Sequence, residues 1–319
     1  MVTLEAIRAA QRRIRDVALR TPLVHFGAPR DGRAGLYLKL ENLQPIGSFK
    51  LRGAYNKIAS FTEEERRRGV VTYSSGNHAQ GVAYAARALG AQATVVMPRT
   101  APAIKAESTR AMGAEVEFVG PASSERQARA EQLASERGLC IVPPFNDLEI
   151  IAGQGTIGLE LVEDLPDLDM VLVPIGGGGL ISGIGAAVKE LRPAVRVIGV
   201  EPELANDAQQ SFRSGERVTL PAEQTSRTIA DGLRTQSVGE LNFAHIRRFV
   251  DDIITVSDDE IRQAMRRLLM TGRIVAEPSG AATAAAFFSH SAQLGAANRV
   301  VAIVSGGNAD PAMLREILG

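Results

Sequence analysis

From residue 69 onward, short apolar runs alternate with stretches whose apolar positions recur at helical spacing. "GVVTYSS" precedes "GNHAQGVAYAARALG", "ATVVMP" precedes "APAIKAESTRAMG", and "AEVEFVG" precedes "SSERQARAEQLASERG", after which comes "LCIVPP". Strand followed by helix, repeated, is the pattern of parallel βαβ units. It resumes with "MVLVPI", the helix-like "LISGIGAAVKELR" and "VRVIGVEP", then "RFVDDIITV", "SDDEIRQAMRRLLMTG", "SGAATAAAFFSHSAQLG" and a final "RVVAIVSGGN". The first block separates Lys50 from the rest, which predicts a smaller α/β domain over residues 61–146 inserted into a larger one formed by residues 1–60 and 147–319. At the N-terminus, Leu4, Ile7, Ile14 and Val17 at helical spacing behind Thr3 predict a capped amphipathic helix rather than a transit peptide.

Composition narrows the function classes. The chain of 319 residues carries 36 basic and 36 acidic side chains, so its net charge of +0 offers no reason to expect nucleic acid or an acidic membrane surface as partner. No apolar run reaches the length of a membrane span. The single cysteine, Cys140, sits in an apolar run that predicts a buried strand position; it cannot form an intramolecular disulfide, which fits a reducing cytoplasm.

Candidate chemistry gathers at strand-to-helix junctions, where ligands of open α/β sheets bind. In "QPIGSFKLRGAYNK", Lys50 follows Phe49 behind a turn-like Pro45, Ile46, Gly47 and Ser48. This is either a plain helix start or a lysine set to meet a flat ring. In "VPIGGGGLISG", Gly176 to Gly179 leave a strand and open a helix; a backbone without Cβ atoms can aim several N–H groups at one phosphate, although a tight turn is the simpler alternative. Gly177, Gly179, Ser182 and Glu201 also approximate a dinucleotide fingerprint lacking its third glycine. In "YSSGNHAQG", Ser74, Ser75, Asn77 and His78 suit a carboxylate, against plain N-capping and a structural role for His78. Ser305 ends the last strand, where its hydroxyl could meet a ring nitrogen or merely close a turn. In "EPELAND", Glu201, the Ala205 carbonyl and Asp207 have the spacing of ligands for a hard cation, or are solvated loop groups.

Together the motifs "GSFKLRGA", "SSGNHAQG", "AGQGT", "GGGGLISG", "EPELAND", "ADGL", "EPSGA" and "SGGN" resemble those of the fold-type II pyridoxal-phosphate enzymes, in the branch of threonine/serine dehydratases and serine racemases. The likeness runs from "RTPL" at 20–23 to "SGGN" at 305–308. It implies an α/β fold of the tryptophan synthase β type, a larger parallel-sheet domain interrupted by a smaller Rossmann-like one. Lys50 would carry the cofactor as a Schiff base and Phe49 would lie against its ring. Asn77 would bond the ring hydroxyl, and Gly176, Gly177, Gly178, Gly179 and Leu180 would hold the phosphate. Ser305 would face the pyridine nitrogen, leaving the ring nearly neutral and favouring prompt loss of a β-substituent. The freed Lys50 amine would take the α-proton, the β-hydroxyl would leave, and the enamine would hydrolyse to a 2-oxo acid and ammonia. Ser74, Ser75, Asn77 and His78 would hold the substrate carboxylate, with Ser75 acting from the opposite face of the ring. Glu201, Ala205 and Asp207 match the branch's site for Mg²⁺ or another divalent cation, and a homodimer is implied.

The resemblance therefore implies a lyase making 2-oxobutanoate from L-threonine and pyruvate from L-serine. Alternatives are a serine racemase, a dehydratase of another β-hydroxy amino acid (3-hydroxyaspartate or a hydroxyectoine-derived one), a nucleotide-dependent oxidoreductase, and a non-catalytic binding protein. With the last motif close to Gly319, no isoleucine-binding effector domain is expected. "LVHFGAPRDG" lacks a serine pair and Pro45-Ile46 stands where the mammalian racemase has Lys-Thr, so the resemblance does not extend to ATP activation.

Overall fold

Among the described residues the apolar runs become ten strands, most of them followed by a helix that packs on the sheet. The computed structural model describes residues 1–26, 35–74, 76–99, 101, 103–120, 123–295 and 297–319. In chain order the strands are β1 (Leu23–His25), β2 (Gly35–Leu40), β3 (Val70–Tyr73), β4 (Ala93–Pro98), β5 (Glu115–Val119), β6 (Cys140–Ile141), β7 (Met170–Pro174), β8 (Arg196–Pro202), β9 (Asp252–Val256) and β10 (Arg299–Val304). They form two sheets, ordered β1-β2-β10-β7-β8-β9 and β5-β4-β3-β6. Among the described strands only the β1–β2 pair is antiparallel. Register puts Val304 beside Leu40 and Pro174 beside Val200, so the carboxyl ends of the large sheet share one rim. Buried aliphatic side chains cover both faces of each sheet, as parallel sheets require.

Three local expectations change. The N-terminal helix is Leu4–Ile14, with the Thr3 hydroxyl accepting from the Ala6 N–H, and Val17 lies beyond its end. Cys140 is in a strand but half-buried, since β6 is an edge strand of the smaller sheet. The front of "RFVDDIITV" finishes the helix Glu240–Phe249, and β9 begins only at Asp252. No helix among the described residues is long and apolar enough to cross a membrane.

The helix Leu148–Asp164 is the spine of the molecule, buried from Ile150 to Leu161. Its glycines explain the "AGQGT" motif. A Cβ on Gly153 would stand 2.6 Å from the Arg52 carbonyl oxygen and from Gly53 Cα, and one on Gly155 would stand 2.9 Å from the Gly183 carbonyl oxygen. Both obstacles are backbone, which cannot swing aside. The helix that begins at Lys50 and the helix that follows the glycine loop therefore pack on one spine at backbone contact.

Charge locks this crossing. Arg52, 1% exposed, donates to Glu41 through Nε (2.9 Å) and Nη2 (2.8 Å), and to Glu160 through Nη1 (2.6 Å) and Nη2 (3.0 Å). Further bonds reach the Thr156 hydroxyl at 3.0 Å and the Leu19 carbonyl at 3.0 Å. Lys39 Nζ, fully buried, meets Glu160 at 2.6 Å and the Thr21 carbonyl at 2.7 Å. Burial pushes the Glu41 carboxyl up, but the Arg52 charge and bonds, Thr21 and Lys39 outweigh it and hold it below its ordinary value. Removing one partner of such a cluster strands the others. Arg52→Ala should cost about 3–5 kcal/mol in denaturant unfolding; a loss below about 1 kcal/mol, the level of an exposed pair, would show that the cluster does not hold the crossing.

Candidate active site

Lys50 is placed by a short latch. The Phe49 N–H donates to the Ser305 carbonyl at 3.1 Å, the Gly307 N–H donates to the Gly47 carbonyl at 2.9 Å, and Ser48 bridges Gly306 between them. Gly47 turns with φ +72°, and a Cβ there would collide with the Asn308 side chain. The latch ties "GSFK" to "SGGN" and so sets Lys50 next to the end of β10. Lys50 opens the helix Lys50–Ser60, and its Nζ donates to the Pro144 carbonyl at 2.8 Å, 5.2 Å from the centre of the Phe49 ring. Removal from water lowers its ammonium to about 8. Ser305 is buried, with its hydroxyl 3.5 Å from the Ser279 carbonyl, at the limit of a hydrogen bond.

The glycine loop faces the same rim. Gly178, with φ +92°, precedes the helix Gly179–Leu191, and Ser182 N–H donates to the Gly178 carbonyl at 3.0 Å. The backbone N–H groups of Gly176, Gly177 and Gly178 meet no partner among the described residues, while Gly179 and Leu180 occupy the first turn, whose donors have no acceptor within the helix. This is an anion cradle. Neighbours press on it from outside: a Cβ on Gly177 would lie 2.1 Å from the Phe145 ring, one on Gly178 2.8 Å from Asn242 Cβ, and one on Gly176 2.9 Å from the Gly232 carbonyl oxygen. Sequence reasoning assigned the glycines to a ligand; packing requires them as well.

The third wall comes from the small-sheet helix Asn77–Ala88. Gly81 lies over the Lys50 backbone, where a Cβ would stand 3.3 Å from the Lys50 carbonyl oxygen. Asn77 Nδ2 donates to Glu277 Oε1 at 2.6 Å, and its Oδ1 accepts from Asn308 Nδ2 at 2.8 Å. The Ser74 hydroxyl accepts from the Gly76 N–H at 3.3 Å; Ser75 lies outside the described residues. His78 is no charged partner for a carboxylate. It is buried, donates from Nε2 to the Val142 carbonyl at 3.1 Å, and is held neutral down to about 3 by burial and by Lys50.

Glu201 and Asp207 are not solvated loop groups. Both are fully buried, and Glu201 accepts the N–H groups of Ala208 (3.0 Å) and Gln209 (2.7 Å) at the start of the helix Asp207–Ser214. Burial, then the Asp207 charge, raises the Glu201 carboxyl well above its ordinary value. The Asp207 oxygens make no hydrogen bond of normal geometry within the described residues. Glu201 therefore cannot hold a ribose, which removes the dinucleotide alternative. Among the described residues no three His, Cys, Asp or Glu side chains converge as a metal cluster; two carboxylates and the Ala205 carbonyl are what this place offers.

An ammonium beside a flat ring, an N–H cradle and a neutral hydroxyl on one rim fit a phosphorylated pyridine aldehyde. The family model described as pyridoxal-phosphate dependent enzyme matches residues 14–306. The chain belongs to that family. It is 46% identical over 321 residues to the L-threonine ammonia-lyase of Thermotoga maritima, covering 100% of this chain and 78% of the relative. The L-threo-3-hydroxyaspartate ammonia-lyase of Saccharomyces cerevisiae is 42% identical, covering 94% of this chain and 91% of the relative. Maize serine racemase superposes with a TM-score of 0.93 at 38% identity, covering 99% of this chain and 97% of that one.

Glu277, Asn308, Asp231 and Lys105 were missed as functional positions. The first three lie in the quoted motifs "EPSGA", "SGGN" and "ADGL", but only the fold shows that they meet Asn77 or one another. The cradle yields a test. Gly178→Ala puts a side chain at positive φ against Asn242, which should cost about 1–3 kcal/mol in the cofactor-free protein as well as weakening cofactor binding. An unchanged melting temperature without cofactor would contradict the packing requirement.

Proposed function

We propose that this protein is a pyridoxal-phosphate-dependent ammonia-lyase converting L-threonine to 2-oxobutanoate and L-serine to pyruvate. The likeness of the whole of this chain to a threonine ammonia-lyase carries the reading, and the site chemistry supports it. When bound, pyridoxal phosphate draws electrons from the α-carbon of an amino acid joined to it through the amine. In this reading Gly176, Gly177, Gly178, Gly179 and Leu180 hold the phosphate through N–H groups, Phe49 packs beside the ring, and Asn77 orients it. Lys50 Nζ, lowered to about 8, gives up its proton easily near neutral pH and can then accept one from the α-carbon. Ser305 offers a hydroxyl where a carboxylate would attract a proton to the ring nitrogen. Negative charge developing at the α-carbon would then be better discharged by loss of the β-hydroxyl, protonated to leave as water, than by storage. Racemisation would need a second proton donor, the role assigned to Ser75.

We further infer that residues 61–146 form a smaller domain gating a larger one made of residues 1–60 and 147–319. A cytoplasmic homodimer fits the single cysteine and the exposed Leu19, Leu43 and Val275 side chains.

In a panel of β-hydroxy amino acids assayed for 2-oxo acid, L-threonine and L-serine should be the best substrates, with serine racemisation slower. Lys50→Ala should be colourless and inactive, and borohydride should fix the cofactor to Lys50 of the parent. Serine enantiomers interconverting faster than pyruvate forms would overturn the lyase assignment.

A divalent cation between Glu201, the Ala205 carbonyl and Asp207 would supply the positive charge these buried carboxylates lack. At a hundredfold excess over its Kd, Mg²⁺ or Mn²⁺ should stabilise the parent by about 2.7 kcal/mol, read as a higher melting temperature. Asp207→Asn should lose the response. An equal response in both proteins would place the cation elsewhere.

A further inference from the structure

The small α/β unit packs Ala79, Val82 and Ala83 against Ala54, Ile58 and Ile150 of the larger one, and polar side chains add a second set of contacts between the two. Asn77 reaches Glu277, and Asn308 reaches back to Asn77 at 2.8 Å and to Gln80 at 3.3 Å. Lys105, on the helix Ala103–Ala111, makes an ion pair with Asp231 on the turn Asp231–Leu233. Glu277 is the centre of this group. It is 5% exposed, its N–H donates to the Gly306 carbonyl at 3.1 Å, and a Cβ on Gly306 would stand 2.2 Å from Glu277 Oε1. The carboxyl is thus wedged between the backbone beside Ser305 and the Asn77 amide.

We propose that Glu277 is a positioning residue that fixes the Asn77 amide over the cleft, and that the Lys105–Asp231 pair controls how tightly it does so. A carboxylate accepts the Asn77 N–H more strongly than a carboxylic acid does, by roughly a factor of two in bond strength. The charged groups that face Glu277 act in opposite directions. Burial and then Asp231 push its carboxyl up to about 7, while Asn77 and Lys105 pull it down. Near neutral pH the clasp is therefore poised between a loose protonated form and a tight ionised one. The sign follows: as pH rises through about 7, ionisation tightens the hold on Asn77 and so on the helix Asn77–Ala88.

The consequence for turnover rests on the function proposed above; the clasp itself does not. Two measurements separate them. In the holoenzyme, kcat/KM for L-threonine should rise with pH through an ionisation near 7 that disappears in Glu277→Gln, which keeps an acceptor for Asn77 but not the titration. Asp231→Asn should move that ionisation down by about one unit, and Lys105→Met should move it up by a similar amount. In the cofactor-free protein, exchange protection of the Asn77–Ala88 amides should follow the same ionisation and the same shifts. A protein with no lyase activity would sink the functional reading alone, because amide exchange still tests the clasp. Amide exchange with the same pH dependence in the parent and in Glu277→Gln would overturn the proposal, as would Asp231→Asn and Lys105→Met shifting the ionisation in the same direction.

Discussion

Everything at this site depends on where the helix Lys50–Ser60 begins, and that is settled by Arg52. Its guanidinium is clamped by two carboxylates, Glu41 from the turn before the helix and Glu160 from the spine. Each contact is two-pronged, so the guanidinium plane is fixed as well as its position. Fixing Arg52 fixes the first turn of its helix, and Lys50 is in that turn. The Gly53–Gly153 contact then sets the depth of the crossing, and the Gly155–Gly183 contact carries the same spine to the helix that follows the glycine loop. Lysine and cradle are held relative to each other through one helix, without a flexible loop between them. Pre-organisation of this kind keeps a reacting group near its productive geometry.

The latch between Gly47–Phe49 and Ser305–Gly307 adds a second constraint from the other side. It joins residues near the two ends of the sequence and brings Lys50 and Ser305 to one rim, where neither strand pairing nor helix packing alone would put them. Because β10 lies between β2 and β7, the latch sits at the middle of the large sheet, at the place where its connections diverge. Open α/β sheets bind ligands at such a point.

The alternation of strand and helix, the glycine loop and Lys50 were legible in the sequence because each is a local pattern: a period, a run, a lysine after a turn. The fold class follows from periodicity, and the family from ordered motifs. What stayed hidden was pairing at long range. Nothing near Arg52 announces that two distant carboxylates will close on it, and Glu277 is 200 positions from the Asn77 it holds. The solvated alternative for Glu201 and Asp207 stayed open for the same reason: hydrophilic residues between a strand and a helix look like loop, until the fold buries them. His78 shows the converse, a polar residue in a functional motif whose ring is used by the fold. "EPSGA" carried a usable signal, since a glutamate just before a helix-opening proline is a defined place, but not one that says which ligand or residue it meets.

Among the described residues, three pairs of carboxyl groups, two buried and one with an exposed outer member, differ in how their charge is answered. Glu41 and Glu160 are matched by Arg52 and Lys39, and their donors and acceptors are filled; this cluster needs nothing further and is structural. Glu201 and Asp207 have no cationic side chain among the described residues to answer them: Glu201 accepts only backbone N–H groups, and burial raises both carboxyls, disfavouring their charged forms. Glu277 and Asp231 are intermediate, with Lys105 paired to the outer carboxylate and only an amide on the inner one. Desolvation acts on the buried members of each pair. Full compensation within the chain yields rigidity, and absent compensation favours neutral carboxyls. Partial compensation leaves a proton to decide, and here that proton sits beside the cofactor cleft.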